Sequence, residues 1–145
     1  MVDELYHDVI MDHNKSPRNC HPMEDANRHA EGFNPLCGDN LQLYLKVEDG
    51  IVKDASFVGS GCAISTASAS LMTESLKGKT REEALKLMEK FHDLLTTDSP
   101  VTKDLGKLVV FCGVRKRPER VKCATLAWHT LKSALSDSDT PVSTE

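Results

Sequence analysis

Residues 41–58 read LQLYLKVEDGIVKDASFV, and this segment carries the clearest structural pattern in the chain. In its first seven residues, leucine and valine alternate with Gln, Tyr and Lys, which is the period-two pattern of a strand with one buried face. Glu48, Asp49 and Gly50 supply turn residues, and residues 51–58 follow as a second strand. The sequence therefore predicts a β-hairpin, to which the residues around Phe33 add an edge strand.

Helices are predicted before and after this hairpin in the sequence. A loop is expected from the end of the first helix to about Glu31. Thr80 and Glu83 have the spacing of a capping box, which marks the start of a helix. Apolar residues three and four positions apart indicate the other helical stretches. The predicted helices cover residues 3–13, a run of small residues that starts at Cys62, residues 80–95, residues 102–110, and a last helix that begins at Pro118.

The order of these elements predicts an α+β fold, with a small antiparallel sheet of about three strands and helices packed on one side. A chain of 145 residues is long enough for one hydrophobic core and too short for two. We therefore expect a single domain over residues 1–135. The polar segment 136–145 is expected to be a disordered tail.

Composition and charge argue against several classes of function. The net charge of -4 gives no electrostatic basis for binding nucleic acid or an anionic membrane surface. The longest apolar run, residues 108–112, is far shorter than the roughly 20 residues of a membrane-spanning helix. The acidic start, MVDEL, does not have the pattern of a signal peptide. We expect a cytoplasmic protein without nucleic-acid or membrane partners.

The cysteines carry the strongest chemical signal. There are 5, an odd number for a protein expected in a reducing compartment, so a disulfide framework is not predicted. Cys37 lies in a loop before a strand, and Cys62 lies at the start of a helix, where the helix dipole favours a thiolate. Cys123 lies near the start of the last helix, on the same face as Arg120. These three thiols are the candidates for chemistry.

Asp39 adds an oxygen ligand to these three sulfurs. It lies in the stretch NPLCGDN, residues 34–40, where Gly38 lets the backbone bend between Cys37 and Asp39. Donors of these types suit a tetrahedral zinc ion, and the same thiolates suit an iron–sulfur cluster. The spacing matches no standard zinc finger. Burial of Cys62 and Cys123 as small apolar side chains is therefore the alternative that the residues alone leave open.

Four segments of the chain resemble one protein family. They read VIMDHNKSPRN at 9–19, NPLCGDN at 34–40, GSGCAISTASASLM at 59–72 and RVKCATLAW at 120–128. In this order they resemble the SufU branch of the iron–sulfur assembly family, which also includes IscU and the N-terminal part of NifU. The resemblance covers residues from about 4 to 135.

Two features favour the SufU branch over IscU. The residues before Cys123 are Arg-Val-Lys, whereas IscU-type proteins carry a Leu-Pro-Pro-Val-Lys sequence and a histidine directly before that cysteine. In addition, about 60 residues separate Cys62 from Cys123, as expected from the insertion typical of SufU.

The resemblance implies an IscU-like and SufE-like fold and a Zn²⁺ site formed by Cys37, Asp39, Cys62 and Cys123. It also implies a sulfurtransferase that accepts persulfide sulfur from a SufS-type cysteine desulfurase and passes it to a downstream cluster scaffold or to thiol acceptors. The residue matching Cys37 is the sulfur acceptor, which leaves zinc when a histidine of the desulfurase replaces it. Arg120 matches a residue that assists the interaction or stabilises an anionic sulfur.

Other functions fit the same residues. In the second hypothesis the protein is a scaffold, and the four ligands hold an iron–sulfur cluster transiently until it is transferred. A third hypothesis is a binding module with a structural zinc ion. A Cys/His hydrolase is the weakest, because no histidine is coupled in sequence to a cysteine. Cys20 and Cys112 match no ligand position of the family, and Cys112 is expected to be buried.

Overall fold

The computed structural model describes residues 2–34, 38–97, 105–135 and 142–143, with the side chains of residues 2–6, 115, 142 and 143 left undescribed. Its helices are α1 (Val2–Lys15), α2 (Ala63–Leu76), α3 (Arg81–Thr96), a 3₁₀ helix (Gly106–Lys116) and α4 (Pro118–Leu135). Its strands are β1 (Arg28–Asn34), β2 (Asp39–Glu48), β3 (Ile51–Ser60) and β4 (Val142–Ser143).

The sheet has the order β3-β2-β1-β4, and its first three strands are antiparallel. The predicted hairpin between β2 and β3 is confirmed. Asp49 and Gly50 have φ values of 55° and 74°, and two successive positive φ values are typical of a tight hairpin turn. β4 contributes two residues, which pair in parallel with Gly32 and Phe33 of β1. The other residues of the segment predicted as a tail lie outside the described residues.

β1 confirms the strand predicted around Phe33, but it begins earlier than expected. It starts at Arg28, so the loop predicted to reach Glu31 is too long. The buried face of β1 consists of Ala30, Gly32 and Asn34. Because none of these is a large apolar residue, the alternation of burial along β1 leaves only a weak hydrophobic pattern in the sequence.

The helices pack on one face of the sheet. α2 lies against β3, and α4 lies against β1 and β2. The small side chains of α2 allow α4 to approach closely, so that Ser68 Oγ donates to the Ala124 carbonyl at 2.5 Å. Trp128 of α4 donates to Ser68 Oγ at 3.2 Å and stacks on Phe91 of α3, with ring centroids 4.8 Å apart. This aromatic contact packs α3 against α4.

The helix predictions agree with the structure except in the segment before α4. The capping box of Thr80 and Glu83 is present at the start of α3. The helical piece predicted over residues 102–110 is a 3₁₀ helix that begins at Gly106 and continues to Lys116, and residues 101–104 lie outside the described residues. Cys112 in this helix is half-buried rather than fully buried.

Within the described ranges, no helix combines the length and apolar character needed to cross a membrane.

Candidate metal centre

Three elements bring sulfur and oxygen donors to one place. Asp39 is the first residue of β2, Cys62 directly precedes α2, and Cys123 lies in the second turn of α4. One donor atom from each residue lies within 4.8 Å of the other two. The structure thus brings together three of the four residues predicted as metal ligands. Cys37, the fourth, lies outside the described residues.

Asp39 is buried with one carboxylate oxygen held in place and the other left without a hydrogen bond. Its Oδ1 accepts from the Cys62 backbone N–H at 2.8 Å. Its Oδ2 is buried and has no hydrogen-bond partner among the described residues. A buried carboxylate oxygen without a donor is unfavourable, because it loses its hydration without compensation. The side chain therefore has an acceptor that a bound cation would satisfy.

Gly61 makes room for this carboxylate. A Cβ atom at this position would lie 2.5 Å from Asp39 Oδ1 and 3.0 Å from its carboxyl carbon. Carbon atoms do not approach a carboxylate so closely, so any side chain at position 61 would displace Asp39.

Cys62 is the N-cap residue of α2. Its backbone is extended, and its Sγ accepts a hydrogen bond from the Ser65 N–H at 3.4 Å. The unpaired N–H groups and the positive end of the helix dipole both favour a negatively charged group here.

Cys123 is fully buried on α4. The side-chain amide nitrogen of Asn34 lies 3.8 Å from its Sγ, and the Glu119 carbonyl oxygen lies 3.7 Å from it. Asn34 ends β1, so this sulfur is contacted by the sheet as well as by its own helix.

Arg120 provides positive charge beside these sulfurs. The negative charge of the Cys62 thiolate is the main cause that raises the pKa of Arg120, and hydrogen bonding to Cys123 adds to it. The sequence analysis places Arg120 on the same face of α4 as Cys123, and its proximity to both cysteines agrees with that placement. A guanidinium group that remains charged lowers the electrostatic cost of two thiolates lying close together.

The donor set fits a zinc ion. Zn–S bonds of about 2.3 Å in a tetrahedron place two sulfurs about 3.8 Å apart, so separations within 4.8 Å are of the right size. The buried Oδ2 of Asp39, which has no hydrogen-bond partner among the described residues, is an oxygen donor of a type that zinc accepts. Thiolate sulfur also suits iron–sulfur clusters, so the donor types fit either occupant.

The chain matches a known protein family over most of its length. Residues 5–142 match the model of the NifU-like N-terminal domain. The chain belongs to the NifU-like N-terminal domain family.

Two curated relatives carry names from iron–sulfur cluster assembly. The protein named iron–sulfur cluster assembly scaffold protein IscU from Streptococcus pyogenes serotype M1 is 41% identical over 138 residues, covering 94% of this chain and 86% of the relative. The protein named zinc-dependent sulfurtransferase SufU from Bacillus subtilis (strain 168) is 42% identical over 139 residues, covering 95% of this chain and 94% of the relative. The predicted resemblance to the SufU and IscU proteins is confirmed.

Solved structures of family members confirm the α+β fold. A Fervidobacterium islandicum AW-1 protein, described as an iron–sulfur cluster assembly scaffold protein for the SUF system, has a TM-score of 0.84 and 38% identity, covering 88% of this chain and 93% of that one. A NifU-like N-terminal structure from Brucella abortus has a TM-score of 0.80 at 22% identity, covering 94% of this chain and 95% of that one, and shows the fold alone.

Sequence reasoning missed two residues that shape the site of this NifU-like domain, Asn34 and Gly61. Both flank residues that it did identify, since Asn34 opens the stretch NPLCGDN and Gly61 precedes Cys62. A polar residue at the end of an alternating strand was the available signal for Asn34, but the hydrophobic pattern of β1 is weak in the sequence. Nothing in the sequence indicates that Gly61 faces Asp39.

Proposed function

We propose that this protein is a zinc-dependent sulfurtransferase that accepts persulfide sulfur from a SufS-type cysteine desulfurase and passes it on for iron–sulfur cluster assembly. The observation that carries the proposal is the convergence of Asp39, Cys62 and Cys123 within 4.8 Å, beside Arg120. The 42% identity to the relative named zinc-dependent sulfurtransferase supports it. The sulfur then goes either to a downstream cluster scaffold or to other thiol acceptors.

Cys37, Asp39, Cys62 and Cys123 would hold the zinc ion. When bound, zinc supplies a positive charge that keeps coordinated thiols deprotonated near neutral pH without taking part in redox chemistry. The chain contributes the orientation of the donors, because Asp39 is fixed by the Cys62 N–H and Cys62 by the start of α2. The positive charge of Arg120 offsets the negative charge of Cys62 and Cys123.

Cys37 is the sulfur acceptor in this proposal. Cys62 Sγ is engaged by the Ser65 N–H, and Cys123 is fully buried, so both are poorly placed to meet a partner protein. Cys37 directly precedes Gly38, an exposed residue with a positive φ of 72°. These observations support Cys37 as the acceptor.

The transfer needs no external oxidant or reductant. The Cys37 thiolate attacks the outer sulfur of the desulfurase persulfide, and a new S–S bond forms between Cys37 Sγ and that sulfur. The S–S bond of the donor breaks at the same time, and its electron pair leaves with the desulfurase cysteine as a thiolate. The product is a persulfide on Cys37, and the guanidinium of Arg120 stabilises the negative charge on sulfur near the site.

Sulfide release tests this function. The protein is mixed with a SufS-type desulfurase, L-cysteine and a reductant, and we expect it to stimulate sulfide production. The Cys37→Ala variant should lose this stimulation, so that sulfide is produced at the rate of the desulfurase without any added protein. Cys20→Ala, which changes an exposed cysteine outside the donor cluster, should stimulate as the wild type does. A Cys37→Ala variant that is as active as the wild type would exclude the proposed acceptor.

A cluster scaffold is the second candidate function, favoured by the 41% identity to the relative named IscU scaffold protein. The same donor atoms would then bind an iron–sulfur cluster as cargo. Metal analysis and visible absorption of protein purified without oxygen separate the two functions. Colourless protein with about one zinc per chain supports the sulfurtransferase, and brown protein containing iron and sulfide supports the scaffold.

A further inference from the structure

Asn34 meets the candidate metal centre through its backbone and its side chain. It is the last residue of β1, pairs with Asp39 of β2, and is completely buried. Its carbonyl oxygen accepts from the Gly38 N–H at 2.9 Å. Asn34 therefore adjoins the predicted oxygen ligand through its strand pairing and the sulfur of Cys123 through its side chain.

The contact between Asn34 and Cys123 has a defined polarity. Nδ2 of Asn34 lies 3.8 Å from Cys123 Sγ, within the longer range that sulfur acceptors allow. A thiolate can only accept hydrogen bonds, so the N–H end of the amide favours the charged sulfur. The Glu119 carbonyl oxygen lies 3.7 Å from the same sulfur and can only accept a hydrogen bond.

We propose that Asn34 is a positioning residue of the metal centre, whose amide donates to the Cys123 sulfur and holds it as a permanent ligand while sulfur is accepted elsewhere. This inference rests on the proposed function in one respect, because it requires Cys123 to bind the metal. It adds a residue outside the four predicted ligands and assigns it a distinct role.

Burial explains why this donor matters. Cys123 is fully buried, so its sulfur depends on protein groups for hydrogen bonds in place of water. Asn34 is equally buried and anchored in β1 by its pairing with Asp39, whereas Arg120 is partly exposed on a long side chain. A donor fixed in the sheet keeps its orientation without losing side-chain entropy when the metal binds. Removing such outer partners of metal ligands commonly weakens metal affinity 10–100-fold.

The test compares Asn34→Leu, which keeps the branched shape and the number of side-chain heavy atoms without an N–H donor, with Asn34→Ala and the wild type. Thr130→Val is the matched control. Thr130 is also fully buried, and it lies seven residues after Cys123 on α4, about 10 Å along the helix axis. Zinc affinity is measured by competition with a chelator, and the sulfur-to-metal charge-transfer band is recorded with Co²⁺ in place of zinc. Far-UV circular dichroism reports whether each variant is folded.

We expect both Asn34 variants to bind zinc at least about tenfold more weakly and to shift the Co²⁺ charge-transfer band to longer wavelength. The shift follows because a thiolate without its N–H donor gives up electron density more readily. Thr130→Val should leave both properties unchanged. Wild-type affinity and an unshifted band in Asn34→Leu or Asn34→Ala would overturn the role of Asn34, as would an equal loss in Thr130→Val. Failure of the proposed function would appear separately, as a wild-type protein that does not bind zinc or does not stimulate sulfide production by the desulfurase.

Discussion

At the scale of single residues, the site depends on a glycine, which has no side chain. Asp39 can place its carboxylate close to Cys62 and Cys123 only because Gly61 leaves space beside its Oδ1. The Cys62 N–H fixes that Oδ1 at 2.8 Å. The aspartate is therefore oriented before any ion binds, which reduces the entropy lost on coordination.

Gly61→Ala should weaken zinc binding by about tenfold or more, because the new Cβ would lie 2.5 Å from Asp39 Oδ1 and would displace the carboxylate. The measurement is zinc affinity by chelator competition. Gly113→Ala is the control, since a Cβ at Gly113 meets no atom within 4 Å. The prediction is wrong if the two variants bind zinc with the same affinity.

At the scale of elements, the end of α1 is attached to α2 by a buried polar network. His13 is only 2% exposed, and its Nδ1 lies 2.7 Å from Ser70 Oγ. Ser70 Oγ also accepts from the Arg18 backbone N–H at 2.8 Å, so the hydroxyl proton is available to His13 Nδ1. The proton of the neutral ring then lies on Nε2, which is 3.6 Å from Glu74. This arrangement favours neutral His13.

His13 should make the attachment of α1 sensitive to acid. Burial, and then the charge of Arg18, lower the pKa of His13 below its ordinary value of 6.5, although Glu74 and Asp12 oppose this shift. Below pH 6.5 the unfolded chain therefore binds more protons at this residue than the folded protein does, and stability falls as the pH falls toward the folded pKa. The slope reaches at most about 1.4 kcal/mol per pH unit for one histidine.

His13→Gln isolates this contribution. We expect the wild type to be more stable than the variant at pH 7.5 and to lose part of this advantage as the pH is lowered to 5.5. The measurement is urea unfolding of both proteins at a series of pH values. Burial also lowers the pKa of His129, but that residue is common to both proteins and its effect cancels in the difference. A difference in stability that stays constant with pH would contradict the prediction.

At the scale of the whole molecule, α4 connects the sheet to the site. Gly32 of β1 has no side chain, and Thr130 and Leu126 of α4 occupy the space that a Cβ atom there would need. The helix can therefore lie directly on β1. Cys123 is part of the same helix, and Asn34 is part of the same strand. Packing in the core therefore sets the distance between α4 and β1 at the candidate metal centre.

Gly32→Ala should destabilise the protein by about 1–3 kcal/mol, because its Cβ would overlap Thr130 Oγ1 and Thr130 has little rotamer freedom on a helix. Thr130→Ala removes that atom, so the double variant should recover part of the loss. Urea unfolding of the wild type, both single variants and the double variant gives the coupling energy. Additivity within about 0.5 kcal/mol would show that the two positions are not in contact as described.

The types of the elements and the candidate metal donors follow from local features of the sequence. The period-two pattern in β2 and the helical spacing in α4 are local properties, which each segment carries without its neighbours. The capping box at Thr80 is local in the same sense. The motifs around Asp39, Cys62 and Cys123 likewise identified those residues before any contact among them was known.

Contacts between residues distant in the chain depend on how the elements pack. Asn34 and Cys123 are 89 positions apart, and the packing of α4 on β1 brings them into contact. The burial of His13 depends on α2, and the early start of β1 depends on pairing with β2, so neither has a local pattern. Short-range periodicity reports which face of a segment is buried, whereas the neighbour on that face is set by how the whole chain packs.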